Sequence, residues 1–138
     1  MEYYAHIRKI EGDFVVSFPD YPNINTFGET LEEALYMASD ALNACLEVDF
    51  ERGYNLEKVS DFSGKRGYYP IALIPHVALA YDLKRLRKGQ TQGEIAEKLG
   101  ISYQAYQKLE NPRKCNPTVK TLEKLGAVLG KRLVVGFR

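Results

Sequence analysis

The chain has 138 residues, 45% of them hydrophobic and 27% charged, the balance of a folded globular protein of one ordinary domain or two small ones. This excludes a disordered tail and a collagen-like chain. It also excludes a membrane span, because the longest apolar stretch, residues 71–81, is broken by Pro75 and His76 and falls far short of the ~20 residues a spanning helix needs. The net charge of +1 hides an asymmetry: residues 1–67 carry six Lys/Arg against thirteen Asp/Glu, net −7, and residues 78–138 carry thirteen against five, net +8. Such a split predicts two domains with different partners, residues 1–75 and 76–138, the first suited to a basic partner or to nothing but solubility and the second to phosphate. Met1–Tyr4 lacks the basic region and apolar run of a signal peptide, so the expected compartment is the cytoplasm.

In chain order, residues 3–10 and 14–18 alternate as strands around a turn at Glu11-Gly12-Asp13, which predicts a hairpin. Residues 19–23 read as a loop, because two prolines cannot sit in a central ladder. Residues 24–27 form a third short strand closed by Gly28. A helix follows from Thr30, where Thr30 and Glu33 match a capping box. Leu31, Ala34, Leu35, Ala38, Ala41, Leu42, Cys45 and Leu46 then repeat at helical spacing, and Gly53 is the expected terminator. Cys45 on that face reads as a buried small hydrophobe. Residues 54–67 are polar and read as loop, and residues 68–74 as a last strand. With one cysteine in each half, no Cys-x-x-Cys and two histidines, neither a disulfide nor a zinc site is expected, and no cofactor.

The basic half reads as helices. Residues 77–88 place Leu79, Leu83 and Leu86 on one face and end at Gly89. Thr91 and Glu94 form a second capping box before Ile95, Ala96 and Leu99. Gly100 suits a left-handed helix end. Ser102 caps residues 103–110, residues 112–117 are a loop, and Thr118 caps a helix carrying Leu122, Leu125 and Leu129 that ends at Gly130. Leu133, Val135 and Phe137 alternate as a short C-terminal strand. Helix, short turn, helix with Ile101, Tyr106 and Leu109 facing inward leaves Tyr103, Gln104, Gln107 and Lys108 outward, the layout of a helix-turn-helix.

Residues 77–130 resemble the Cro/repressor-type helix-turn-helix family at Gln92, Ala96, Gly100, Ser102, Leu109, Glu110 and Asn111, with Pro112 standing where the family often has Gly. The resemblance implies that Gln92 anchors a phosphate and that Tyr103, Gln104 and Gln107 reach base edges, where a Gln amide can pair bidentately with adenine. Ser102 opens that helix, and Lys108, Arg113 and Lys114 are natural phosphate partners. Lys84, Arg85, Arg87 and Lys88 suit a solvated helix face as well as they suit phosphate.

The strands of residues 3–18, then Pro22, Gly28, Glu29, Thr30, Glu33 and Ala34, resemble the HicB antitoxin family, which has the same order of a small α+β domain and a DNA-binding domain. The fold this implies is α+β: a partial ribonuclease-H-like domain of strands and one main helix, followed by an all-α helix-turn-helix domain with a short C-terminal strand. The implied function is an antitoxin that neutralises a HicA-type toxin, a small basic RNA-cleaving protein. It would also repress its own operon by binding operator DNA as a homodimer or higher homo-oligomer, with no membrane partner. The alternative is a solitary transcription regulator whose first domain binds a ligand or oligomerises. A two-metal nuclease using Asp13, Asp20 and Asp40 is not expected, because turn and loop carboxylates are ordinarily solvated.

Overall fold

The computed structural model describes residues 2–52 and 59–137. The chain divides into two compact units, residues 1–75 and 76–138. Among the described residues, no helix is long and apolar enough to cross a membrane.

The first unit is an antiparallel sheet in the order β3-β2-β1-β4 with one long helix. β1 (Glu2–Ile10) and β2 (Asp13–Phe18) form the expected hairpin, with Ile10 opposite Asp13. Glu11 and Gly12 both have positive φ, 50° and 89°, which suits a two-residue loop whose twist matches that of the strands. β3 (Tyr21–Gly28) starts earlier than the sequence pattern predicts and includes Pro22, where a loop was expected. The proline is tolerated because β3 is an edge strand and the register shifts there. Ser17 faces Asn25 while Phe18 faces Tyr21, so Pro22 lies in the bulged stretch and owes the ladder no N–H. β4 (Tyr68–Ala72) is the other edge, pairs with β1, and is two residues shorter than expected.

α1 (Leu31–Glu51) lies against β3, β2 and β4. The hydroxyl of Thr30 accepts the Glu33 N–H at 3.1 Å, the threonine half of the expected capping box. The expected terminator Gly53 lies outside the described residues. The buried side chains of this unit include Tyr3, Ala5, Ile7, Val16, Phe18, Ala34, Ala38, Leu42 and Leu46. They follow period two in the strands and about 3.6 in the helix, as a shared apolar layer requires. Gly28 sits where the end of β3 crosses the first turn of α1. A Cβ there would run into the backbone N of Ala34 and approach Ala34 Cα and Glu33 C to 2.9 Å. Cys45 is half-buried rather than buried. One buried position of this helix is polar, Asn43. Its amide donates to the Ser39 carbonyl at 2.8 Å and its Oδ1 accepts the Ile74 N–H at 3.0 Å, tying the chain beyond β4 to the helix.

Among the described residues four helices make up the second unit, the first of them opening at Pro75 on the boundary: α2 (Pro75–Leu86), α3 (Gln92–Leu99), α4 (Tyr103–Leu109) and α5 (Val119–Leu129). α2 begins two residues before the predicted start, and Pro75 opens it, where the missing N–H has no partner to lose. Leu86, expected on the buried face, is 38% exposed. Thr91, Ser102 and Thr118 each accept an N–H three residues on, at 3.1–3.2 Å. α3 and α5 end on Gly100 and Gly130 in the left-handed conformation. The next residue donates back to Ala96 (3.1 Å) and Gly126 (2.8 Å) in the two cases, which satisfies carbonyls a helix end leaves open. Leu83, Ile95, Ala96, Tyr106, Leu109 and Leu125 form the core, with Leu79, Leu99, Ile101, Leu122, Val128 and Leu129 against it.

The predicted C-terminal strand is not formed. Residues 131–137 carry no secondary structure. A strand needs a neighbour for its N–H and C=O groups, and the second unit holds no other strand among the described residues.

Candidate nucleic-acid interface

α4 is seven residues long and amphipathic by necessity: Tyr106 and Leu109 are buried in the core, which turns Tyr103, Gln104, Gln107 and Lys108 to solvent. Tyr103 is 47% exposed. Ser102 lies at the exposed start of this helix, with its Oγ accepting the Ala105 N–H at 3.1 Å. Arg113 and Lys114 are exposed in the turn that follows α4. Asn111 organises that turn: its Oδ1 accepts the Arg113 N–H at 3.0 Å, and its carbonyl accepts the N–H groups of Lys114 (3.0 Å) and Cys115 (2.8 Å). Pro112, the departure from the family pattern, is fully buried beneath this turn. The turn is bonded through the residues around Pro112, so its missing N–H is no loss.

Gln92, the phosphate anchor that the resemblance implies, is tied into the fold. It is half-buried, and its Nε2 donates to Glu110 Oε1 at 3.2 Å. Glu110 closes α4, is 2% exposed, and its Oε2 accepts from Arg87 Nε at 2.6 Å. The Arg87 guanidinium also donates to the Gln90 carbonyl at 3.1 Å. One buried carboxylate therefore joins the end of α2, the start of α3 and the end of α4. The hydrogen bond to Glu110 raises the Arg87 pKa above its usual value, so the cation is permanent. The Tyr106 hydroxyl is pushed well above the tyrosine range, first by burial and then by the Glu110 carboxylate beside it. A single charge-assisted pair of this kind fixes orientation. Here it ties the C-terminal end of α4 to the residue after α2 and to the start of α3.

The four cations at the end of α2 separate. Arg87 turns inward, Lys84 is half-buried, Arg85 pairs with Asp82 at 2.7 Å, and Lys88 is exposed. Sequence reasoning left the four undivided and missed the Arg87–Glu110 pair. A signal was available: Glu110 is the lone acid between Lys98 and Glu123, and a single carboxylate in a basic run asks for an internal partner.

The carboxylates weighed for a nuclease are dispersed in their roles. Both oxygens of Asp20 accept from Ser60, its N–H at 2.8 Å and its hydroxyl at 2.7 Å. Asp13 sits at the exposed hairpin and Asp40 on the exposed face of α1. No group of three His, Cys, Asp or Glu among the described residues is placed to hold a metal ion.

A helix-turn-helix braced by a buried ion pair, with a polar row on its second helix, defines a DNA-binding module. It follows a small α+β unit of opposite charge. The helix-turn-helix family model matches residues 83–135, and the model of the HicB-like antitoxin of bacterial toxin–antitoxin systems matches residues 2–75. The chain is 30% identical to antitoxin HicB 1 of Photorhabdus laumondii, over 92% of this chain and 80% of that one. It is 29% identical to antitoxin HicB of Escherichia coli K12, over 89% and 88%. The crystal structure of the N-terminal domain of the Burkholderia pseudomallei antitoxin HicB is similar at a TM-score of 0.47 and 23% identity, over 54% of this chain and 99% of that one. The chain belongs to the HicB-like antitoxin family and carries a helix-turn-helix DNA-binding domain.

Proposed function

We propose that this chain neutralises a HicA-type toxin, a small basic RNA-cleaving protein, through residues 1–75, and represses its own operon through residues 76–138. It acts by binding rather than catalysis, in the cytoplasm and as a homodimer or higher homo-oligomer. The observation that carries the DNA half is the outward row of Tyr103, Gln104, Gln107 and Lys108 on a helix whose inner side is locked in the core. Gln104 and Gln107 read base edges, and Tyr103 meets a thymine methyl or a phosphate. Lys108, Arg113 and Lys114 meet phosphates, and Ser102 lies beside them at the helix start. Gln92 acts at the backbone through its remaining amide oxygen and N–H, held in place by Glu110. The −7 charge of residues 1–67 favours a basic partner by steering encounter.

The test is a pull-down of the tagged chain from its native lysate, with mass spectrometry of what survives nuclease treatment. The expected result is a small basic protein in near-equal amount, which silences RNA cleavage when mixed back with the chain. Specific DNA binding with no such protein would overturn the toxin half and leave a solitary regulator.

A further inference from the structure

We propose that the face of the first unit's sheet turned away from α1 binds single-stranded RNA. A column of stacked rings ending at His6 is the platform for a base, and Arg8, Lys65 and Arg66 meet the phosphates. The inference goes beyond the proposed function, which gives nucleic acid to the second unit and only a protein partner to the first.

Side chains alternate along β1. Tyr3, Ala5 and Ile7 are buried in the layer shared with α1, so Tyr4, His6 and Arg8 stand on the other face. The strand register sets Tyr68 beside His6 there. The His6 and Tyr68 rings stack at 4.5 Å and 7°, the Tyr68 and Phe62 rings at 4.6 Å and 13°, and Tyr4 packs in a T-shape against Phe62. The turn that supplies Phe62 is tied to the sheet: the Gly67 carbonyl accepts the Ile7 N–H at 2.9 Å, and the Lys65 carbonyl accepts the Tyr68 N–H at 3.2 Å. A Cβ on Gly67, whose φ is 84°, would lie 3.5 Å from the His6 ring, so the backbone passes close beside it. Beyond His6 the same cross-strand row continues to Ser17 and Asn25. Among the described residues the column therefore ends at His6, next to a small hydroxyl and an exposed amide, where a flat base can extend it.

Charge selects the occupant. The Lys65 ammonium lies 4.9 Å from the Tyr68 ring centroid and 5.4 Å from that of Phe62. Arg8 and Lys65 both stand near enough to His6 to lower its pKa, and Arg66 is exposed in the same turn. The carboxylates of this face keep to its ends: Glu2 and Asp61 line a recess beside Tyr4, and Asp13 sits at the hairpin. On the opposite side of the sheet, α1 has six Asp/Glu and no Lys or Arg in Leu31–Glu51, so the negative charge of the unit is concentrated there. Rings flanked by cations repel a basic protein and suit a single strand, because bases stack on the rings while the cations follow the backbone. Phe27, 57% exposed in the cross-strand row of Arg8, offers a further ring. The Ser17 hydroxyl and the Asn25 amide are partners for a ribose 2′-OH, which favours RNA over DNA.

The experiment is fluorescence anisotropy of the full chain with a labelled oligouridine of about eight nucleotides, a length within the usual range for one stacking platform, beside the deoxy oligomer of the same length. Ultraviolet cross-linking of the same oligouridine, read by mass spectrometry, locates the contact. The expected result is saturable binding, tighter for RNA than for DNA, with cross-links in β1 and in residues 62–68. His6→Ala should weaken it about tenfold or more. Arg8→Glu/Lys65→Glu changes two exposed side chains, so it keeps the wild-type circular dichroism, and it should weaken binding by at least as much. Absence of RNA binding, equal affinity for the deoxy oligomer, cross-links confined to residues 76–138, or wild-type RNA affinity in the folded charge variant would each overturn the proposal. If that variant keeps RNA affinity but no longer inhibits the co-purifying toxin, the face belongs to the protein partner and the RNA site is refuted while the antitoxin reading stands.

Discussion

Replacing Glu110 by Ala is the substitution that asks most of the second unit. The side chain is 2% exposed, accepts from Arg87 at 2.6 Å and from Gln92 at 3.2 Å, and borders the buried Tyr106 hydroxyl. Truncating one member of a buried ion pair typically costs 3–5 kcal/mol, because the other charge is left uncompensated. Arg87 keeps 21% of its side chain in solvent and its bond to the Gln90 carbonyl, so the cost should fall at or just below the lower bound of that range, about 2–3 kcal/mol. For a unit of this size each kcal/mol moves the melting temperature by about 4–8 °C, which gives a drop of roughly 10–20 °C in the transition of the second unit. Urea and thermal denaturation followed by far-UV circular dichroism measure it. Operator affinity should fall with stability, since Gln92 and α4 lose their common anchor. Glu110→Gln, which keeps the shape and the acceptor to Arg87, should cost clearly less. An Ala variant within 0.5 kcal/mol of wild type, with unchanged operator affinity, would refute the bracing role.

Other outcomes are equally definite. Gly28→Ala should destabilise the first unit by about 1–3 kcal/mol in urea unfolding, because a methyl there meets the backbone of Glu33 and Ala34; a neutral result would mean that α1 shifts freely. His6, stacked on Tyr68 at 4.5 Å, has its pKa lowered by burial and then by Arg8 and Lys65. The unfolded chain therefore binds the proton more readily: stability is full above the ordinary histidine pKa of 6.5 and declines as the pH falls through and below it. His6→Gln should flatten that part of the pH profile of the urea midpoint, and an unchanged slope would contradict the assignment. Burial raises the Cys115 thiol to about 11, so native-state alkylation at neutral pH should be far slower there than in the unfolded chain; equal rates would show the site to be open. Operator affinity should fall with salt at a log–log slope of about −0.9 per phosphate contact, and a flat response would sink the role of Lys108, Arg113 and Lys114.

What the sequence made legible was local. Thr30, Thr91, Ser102 and Thr118 cap the helices that begin after them, and Gly100 and Gly130 end helices, because such signals act within a single turn. The hairpin at Glu11-Gly12 and the outward row on α4 follow from periodicity alone. What was not legible depended on residues brought together from afar. Arg87 and Glu110 are 23 positions apart, and only the fold shows that one of four neighbouring cations turns inward. Asn43 at a buried helix position makes sense only beside the Ile74 N–H. Pro22 argues for a loop until the sheet order places its strand at an edge. Residues 133–137 have the alternation of a strand, yet a strand is a property of two segments, and the chain supplies one.

The proposed function divides two separable jobs between the two units. Its most direct test pairs two assays on the full chain carrying Gln104→Ala and Gln107→Ala: gel-shift binding to its own promoter, and inhibition of RNA cleavage by the co-purifying toxin at equal concentration. Promoter specificity should be lost while inhibition of cleavage stays at the wild-type level. Loss of inhibition in the folded variant, or promoter binding of undiminished specificity, would contradict it.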